Sequence, residues 1–160
     1  MQTRGKTGME HIKMPQGPIT VRVKKLSSEA KMPRAARTGD AAYDLYSSVD
    51  YELKPRERYA VPTGIALEIP EGFEGQVRPR SGLAMKEGVT VLNTPGTIDS
   101  GYRGEVKTIM INLGEKSFKI TKGMRISQLA IRPVPQVLFI EVDELSDTER
   151  GEGGFGSTGK

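Results

Sequence analysis

The sequence predicts an all-β fold, built as a sandwich, a jelly roll or a barrel. Apolar and polar residues alternate with a period of two in many short segments, and nearly all of these are bounded by Gly, Pro, Asp or Asn. No amphipathic pattern with the helical period of 3.6 residues exceeds two turns. Many short strands separated by turn residues are typical of all-β architectures.

The first predicted strand is ITVRVKKL at residues 19–26, where Ile19, Val21 and Val23 alternate with polar residues. The other predicted strands are, in order, AAYDLY (41–46), YAVPTGIALEI (59–69), GFEGQVRPR (72–80), VTVLN (89–93), EVKTIMINL (105–113), SFKI (117–120), MRISQLAI (124–131) and QVLFIEV (136–142). Only two short segments suggest a helix: SSEAKMPRAA at 27–36, which Pro33 interrupts, and SGLAMKE at 81–87.

Length and pattern divide the 160-residue chain into three parts. We expect a β-domain over residues 19–142, a disordered extension or leader at 1–18, and a linker with a Gly-rich tail at 143–160. No apolar run is long enough for a secretory signal or a membrane span, so no membrane association is expected.

Composition excludes several kinds of site. The chain has no cysteine, which rules out disulfides, Cys-ligated zinc and a thiol nucleophile and is consistent with a reducing compartment such as the cytoplasm. The single histidine, His11, lies in the polar N-terminal stretch, so a multi-His metal site is not expected. The net charge of +4 comes without a basic block interleaved with aromatics, so we expect no stable nucleic-acid complex.

Function is expected where residues depart from the β-pattern. Asp44 lies inside the apolar strand AAYDLY, where an acid is disfavoured; it is either an edge or hydrogen-bonded residue, or a carboxylate near a metal or phosphate. In RPRSGLA, Arg80, Ser81 and Gly82 follow a bend at Pro79 and start a short helical turn. A guanidinium, a hydroxyl and helix-start amides suit an anion, although an ordinary Ser-capped turn has the same residues.

The stretch VLNTPGTIDSGYRGEV reads as a hairpin, with a strand at 89–93, a turn at Pro95 and Gly96, and a return at 97–99. Asp99 ends the return strand; it is either a turn-capping Asp or a carboxylate held as a general base. Asn93 offers the donor and acceptor pair that reads an imide edge.

Two further places depart from the β-pattern. Gln128 is predicted to point inward from the apolar strand MRISQLAI, where an amide needs partners. The tail RGEGGFGSTGK nearly matches the phosphate-binding pattern G-x-x-x-x-G-K-[ST], but no Ser or Thr follows Lys160 and no helix can follow. The tail is therefore either a disordered terminus or a grip for a flat anionic ligand, made by Arg150, Phe155, Ser157 and Thr158.

Taken together, AAYDLYS, RPRSGLA, NTPGTIDSGYRGEV, GMRISQLAI and RGEGGFGSTG resemble, in order and spacing, the five motifs of the deoxyuridine triphosphatases, or dUTP diphosphatases. The resemblance spans residues 19–160, with Ala42 standing where a glycine is common in the family. It implies a jelly-roll-like β-barrel that assembles into a homotrimer with shared active sites, and a Mg²⁺-dependent hydrolysis of dUTP to dUMP and pyrophosphate.

The resemblance also implies a role for each matched residue. Asp99 resembles the general base that activates water for attack on the α-phosphorus, and Asp44 the acid that orients Mg²⁺ through coordinated water. The implied phosphate ligands are Arg80, Ser81, Gly82, Gln128, Arg150, Gly156, Ser157 and Thr158. The implied base and sugar contacts are Asn93, Gly96, Thr97, Ile98, Tyr102, the Lys107 backbone and Phe155, of which Tyr102 lies beneath the sugar and Phe155 stacks on uracil.

Two alternatives remain at this point. A dCTP deaminase, alone or as a bifunctional deaminase and diphosphatase, shares this fold but needs an added acid–base residue at the base and a different segment around Arg80. A non-enzymatic nucleotide-sensing regulator would be expected to lose Asp99 or the C-terminal lid, and the sequence retains both.

Overall fold

The computed structural model of the protein describes residues 17–154. Within this range the chain forms ten strands and one helix. They are β1 (Arg22–Lys25), β2 (Tyr43–Tyr46), β3 (Tyr51–Leu53), β4 (Arg58–Glu68), β5 (Phe73–Arg78), α1 (Ser81–Glu87), β6 (Val89–Val91), β7 (Gly96–Ile98), β8 (Glu105–Asn112), β9 (Phe118–Ile120) and β10 (Arg125–Pro133).

Two four-stranded antiparallel sheets contain most of these strands. One has the order β1-β4-β8-β6 and the other the order β2-β10-β5-β7, while β3 and β9 form a separate pair. Neighbours in each sheet are therefore distant in sequence, which is typical of a double-sheet jelly roll. The predicted all-β, jelly-roll-like fold is confirmed.

Apolar side chains from both sheets meet in the core. One cluster joins Ile65, Leu67 and Val106 of the first sheet to Leu45 and Leu129 of the second. A second cluster lies farther along the strands and includes the buried Val61, Val89, Met110 and Ile126. This burial holds the two sheets together, because removing apolar surface from water is the main favourable contribution to folding.

A buried hydroxyl pair also links the two sheets. Thr108 Oγ1 of β8 lies 2.7 Å from Ser127 Oγ of β10, and both residues are fully buried. Each hydroxyl satisfies the other, so neither adds the cost of an unpaired polar group in the core. The contact fixes β10, which carries Gln128, against the opposite sheet.

Most predicted strands are present, but the one predicted at residues 136–142 is wrong. Residues 134–142 follow β10 without forming a strand, and Leu138 and Phe139 are 82% and 92% exposed. A strand needs a hydrogen-bonded neighbour. In the described part of the chain, no backbone hydrogen bond joins residues 135–147 to the two sheets.

Of three other local predictions, one is confirmed and two are wrong. The helix considered at 27–36 is wrong: the segment forms turns, Pro33 cannot donate, and Arg34 pairs with Asp44. The helix at 81–87 is confirmed as α1 and ends at Gly88, whose φ of 66° suits a glycine. The hairpin at 89–99 is wrong, because β6 pairs with β8 whereas β7 pairs with β5 in the other sheet.

No helix within residues 17–154 is long and apolar enough to cross a membrane.

Candidate active site

The second sheet aligns several predicted site residues in one row. Asp44 of β2 pairs with Gln128 of β10, and Gln128 pairs in turn with Arg78 of β5. Val77, which precedes Arg78 in β5, pairs with Gly96 of β7. Since neighbouring strands lie about 4.8 Å apart, a row across four strands spans roughly 15 Å, which suits an extended ligand.

Asp44 is the centre of the charged part of this row. Asp44 is only 4% exposed, and its Oδ2 accepts a hydrogen bond of 3.2 Å from Arg125 Nη1. Oδ1 lies 3.5 Å from Arg80 Nε and has no hydrogen-bond partner among the described residues. Two guanidinium groups thus offset the cost of burying one carboxylate.

Arg80 is held from two sides where β5 gives way to α1. Besides its contact with Asp44, its Nη1 donates to the carbonyl oxygen of Arg125 at 3.1 Å. A quarter of the Arg80 side chain remains exposed, so a ligand can still reach the guanidinium. The structure therefore brings Asp44 and Arg80, two residues with predicted roles at the site, into direct contact.

The start of α1 differs from a Ser-capped turn. Arg80 is the residue that precedes the helix, its backbone is extended, and no side chain caps the helix. The carbonyl of Arg80 accepts from the amides of Leu83 and Ala84, each at 3.1 Å. Ser81 and Gly82 are exposed at the first helical positions, whose amides have no partner within a helix.

Asn93, Thr97 and Asp99 are exposed around β7, whereas Gly96 and Ile98 are buried. Gly96 is needed for close approach: a Cβ there would lie 3.2 Å from Nδ2 of Asn93 and 3.5 Å from Cβ of Val77. Asp99 directly follows β7, and its carbonyl accepts from the amide of Tyr102 at 3.1 Å.

Tyr102 lies in the loop between β7 and β8. Its hydroxyl donates to the carbonyl of Glu105 at 3.0 Å, and the residue is 48% exposed. Lys107 is exposed on β8 and pairs with Pro62 of β4. In the described range, no hydrogen bond or ion pair joins Asp99 or Tyr102 to Asp44, Arg80 or Arg125. Hydrogen bonds and ion pairs therefore divide these residues into two groups within one chain, one around Asp44 and one around Asp99.

Part of the predicted lid is described. Arg150 is exposed, and its Nε donates to the carbonyl of Gly153 at 2.9 Å in a short turn. The roles predicted for Phe155, Gly156, Ser157 and Thr158 fall on residues outside the described range.

Comparison with protein-family models gives a match to the dUTPase model over residues 28–159. This chain belongs to the dUTPase family. It is 58% identical over 137 residues to the deoxyuridine 5'-triphosphate nucleotidohydrolase of Clostridium kluyveri, covering 86% of this chain and 96% of that protein. It is 56% identical over 142 residues to the protein of the same name from Nautilia profundicola, covering 89% of this chain and 100% of the relative.

Solved dUTPase structures have the same fold. The dUTPase of Staphylococcus bacteriophage 80alpha with dUpNHpp superposes with a TM-score of 0.83 at 34% identity, covering 88% of this chain and 99% of that one. A mutant dUTPase from phage phi11 of S. aureus, described with a coordinated structural Mg(II) ion, superposes with a TM-score of 0.73 at 27% identity, covering 78% of this chain and 97% of that one.

The residues of this dUTPase-family chain fit a magnesium ion that is bound mainly by phosphates of a ligand and by waters, with few direct protein ligands. Within residues 17–154 no group of three or more His, Asp or Glu side chains could hold a metal by itself. Mg²⁺ is commonly bound by one or two carboxylates, waters and substrate phosphates. The unpartnered Oδ1 of Asp44 can accept a hydrogen bond from such a water, beside a cavity of about 500 Å³.

Arg125 is the residue of this charged cluster that the sequence-based reasoning missed. Arg125 is the first residue of the apolar strand β10, inside the segment GMRISQLAI that also contains Gln128. A basic residue at the start of a buried strand was the available signal. Its partner Asp44 is 81 positions away, so the contact itself cannot be read from local pattern.

Proposed function

We propose that this protein hydrolyses dUTP to dUMP and pyrophosphate in a Mg²⁺-dependent reaction, with Asp99 as the general base. The observation that carries the proposal is the 58% identity to a deoxyuridine 5'-triphosphate nucleotidohydrolase, 96% of whose length is matched. The activity would supply dUMP and limit the incorporation of uracil into DNA. The lack of cysteine is consistent with a cytoplasmic enzyme.

In the proposed reaction, the carboxylate of Asp99 removes a proton from water as the water oxygen bonds to the α-phosphorus. The bond from the α-phosphorus to the bridging oxygen breaks, and pyrophosphate leaves with its electron pair. The exposed position of Asp99 directly after β7 supports this role, because a base must lie within reach of the water that it activates.

The triphosphate would be bound by Arg80, Ser81, Gly82 and Gln128 of the β-domain and by Arg150, Gly156, Ser157 and Thr158 of the tail. Preorganised donors aimed at developing charge are the main way in which proteins accelerate phosphoryl transfer. The contacts of Arg80 with Asp44 and Arg125 support this role, since they fix the guanidinium before the ligand arrives. Bound Mg²⁺ would neutralise phosphate charge, with Asp44 holding one of its waters.

Uracil and deoxyribose would lie against Asn93, Gly96, Thr97, Ile98, Tyr102 and the Lys107 backbone, with Phe155 stacked on the base. The close approach of Asn93 to Gly96 supports a tight base pocket. A closely fitting pocket would exclude the 5-methyl group of thymine, and the donor and acceptor pattern would exclude cytosine. The Tyr102 ring would leave no room for a 2′-hydroxyl.

The proposed assembly is a homotrimer with active sites shared between subunits. Two observations on the described residues support it. Within one chain, no described hydrogen bond or ion pair links the group around Asp99 to the group around Asp44. The apolar segment 137–140 has a strand-type sequence but is exposed, as expected if it pairs with a neighbouring subunit. The division into residues 1–18, 19–142 and 143–160 remains part of this proposal.

Turnover of dUTP, UTP, dTTP and dCTP with Mg²⁺, and with the metal removed by a chelator, tests the proposed function. We expect hydrolysis of dUTP far above that of the other three nucleotides, releasing pyrophosphate, and loss of activity after chelation. Release of ammonia from dCTP would instead indicate a deaminase. Tight dUTP binding without any turnover would indicate a regulator.

A further inference from the structure

The loop that carries Tyr102 is closed by its own hydrogen bonds. The amide of Tyr102 donates to the carbonyl of Asp99, and its hydroxyl donates to the carbonyl of Glu105 at 3.0 Å. Arg103 Nη1 donates to the carbonyls of Ser100 and Tyr102, at 2.6 and 3.0 Å. The Tyr102 ring therefore has a defined position although it is half exposed.

That position depends on the absence of a side chain at Gly104. A Cβ at Gly104 would lie 2.5 Å from Cζ and 2.9 Å from Cε2 of Tyr102, and it would also overlap the hydroxyl oxygen. Carbon atoms in van der Waals contact lie about 3.5–4.0 Å apart, so the ring could not stay in place. The ring rests directly on the glycine.

The backbone at Gly104 does not itself require glycine. Within the described range the glycines with positive φ are Gly39, Gly64, Gly72, Gly88, Gly123 and Gly151, and Gly104 is not among them. The three closest atoms to a Cβ at Gly104 all belong to the Tyr102 side chain. Alanine at this position would therefore conflict first with the side chain of Tyr102, which can rotate away.

We infer that Gly104 is a specificity-determining residue, because its missing side chain seats the Tyr102 ring where the ring excludes ribonucleotides. The inference rests on the proposed function, in which that ring lies beneath the sugar. Gly104 acts through Tyr102 and does not touch the substrate. Alanine at position 104 would push the ring aside while leaving Asp99, Asp44 and Arg80 unchanged.

Gly104→Ala tests the inference, with Gly101→Ala as the matched control. Gly101 lies in the same loop, and a Cβ there would meet no atom within 4 Å. We expect Gly104→Ala to lower the ratio of kcat/KM for dUTP to kcat/KM for UTP by about 10- to 100-fold, which corresponds to the cost of an unpaired buried polar group. Once the ring has moved, the ribose 2′-hydroxyl has space and no longer carries that cost. Gly101→Ala should keep the wild-type ratio, and all variants should still reject dTTP and dCTP.

A double-variant cycle shows whether Gly104 acts through the ring. If it does, Gly104→Ala combined with Tyr102→Ala should discriminate no worse than Tyr102→Ala alone, because the effects of two residues acting as one unit do not add. Additive losses of discrimination would overturn the inference. So would a combined variant that fails to fold where Tyr102→Ala folds, since the clash would then involve the main chain.

The same measurements separate this inference from the proposed function. A wild-type protein that hydrolyses UTP as well as dUTP would contradict the proposed function itself. If Tyr102→Ala relaxes the discrimination and Gly104→Ala leaves it at the wild-type value, only the role of Gly104 is overturned.

Discussion

At residue 44, one buried carboxylate holds two arginines that come from different strands and loops. Arg125 approaches Oδ2 and Arg80 approaches Oδ1, while the Arg125 carbonyl holds Arg80 from the other side. A guanidinium fixed in this way loses less conformational freedom when it binds a phosphate, so more of the interaction energy is available for the ligand. In the proposed function, these contacts would organise the cluster for phosphate binding.

Asp99→Asn is the substitution that tests the proposed general base. Asparagine keeps the size of the side chain but cannot accept the proton, so kcat should fall by about 10²–10⁴-fold. Binding of a non-hydrolysable dUTP analogue, measured by calorimetry, should be retained at nanomolar to micromolar affinity. Asp143→Asn, a change at another exposed acid, should keep wild-type turnover. Near-normal activity of Asp99→Asn would remove Asp99 from the mechanism.

Residues that break the strand pattern were predictable from the sequence, but their partners were not. Asp44 stands out locally because an acid is rare inside an apolar strand. Its contact with Arg125 depends on the pairing of β2 with β10, which no local window contains. The same limit explains why Gly104 has no local signal: a glycine in a turn has many possible causes, and only the ring position identifies this one.

At the level of elements, the turn between β3 and β4 shows how a charged side chain stabilises a connection. Glu57 Oε1 accepts from the Tyr51 hydroxyl at 2.5 Å, and Oε2 accepts from the Lys54 amide at 2.8 Å. The Tyr51 and Tyr59 rings stack beside it, with centroids 3.8 Å apart. The bond from Tyr51, followed by that from Lys54, lowers the pKa of Glu57, and the same bond raises the pKa of Tyr51.

Glu57→Gln should therefore lower the melting temperature modestly at neutral pH. A carboxyl whose folded pKa is lowered contributes stability above its ordinary pKa, and this contribution is lost as the pH falls through the lowered value. The difference in Tm between wild type and Glu57→Gln should accordingly shrink as the pH is reduced below that range. Glu52→Gln, at an exposed position of β3, should change Tm little at either pH. A difference that persists unchanged in acid would exclude the Glu57 charge as its source.

The positions of strands were easier to predict from the sequence than the strands with which they pair. Alternation identifies a strand and its buried face, and it located strands such as β4 and β8. It does not identify the partner, so β6 and β7 were joined as a hairpin although they belong to different sheets. For residues 136–142 the pattern indicated a strand where the described chain offers no neighbour to pair with.

At the scale of the whole molecule, the chain leaves its C-terminal segment outside the two sheets. Val134 donates to the carbonyl of Gly72 at 2.8 Å, and every residue from 134 to 150 is exposed. An exposed apolar run such as 137–140 is costly in water and marks an interaction surface. A trimer in which this segment reaches a neighbour would bury the run and would bring the tail to another subunit's site.

Mixing two inactive chains tests this arrangement. One chain carries Asp99→Asn with an intact tail, and the other ends at Glu149 with Asp99 intact. The linker DELSDTE can span more than about 20 Å when extended, at roughly 3.3–3.6 Å per residue, so the tail can reach a neighbouring site. The two chains are unfolded and refolded together in equal amounts. If each site of a closed, symmetric trimer takes Asp99 from one subunit and the tail from another, about one quarter of the sites should be active.

Activity should therefore appear in the refolded mixture but not in either chain alone, and not when the two assembled proteins are simply combined without subunit exchange. Mass spectrometry of the intact oligomer must show that mixed trimers are present. If they are present and remain inactive, the tail serves the site of its own chain. In that case the exposed segment 137–140 contributes to assembly without delivering the lid.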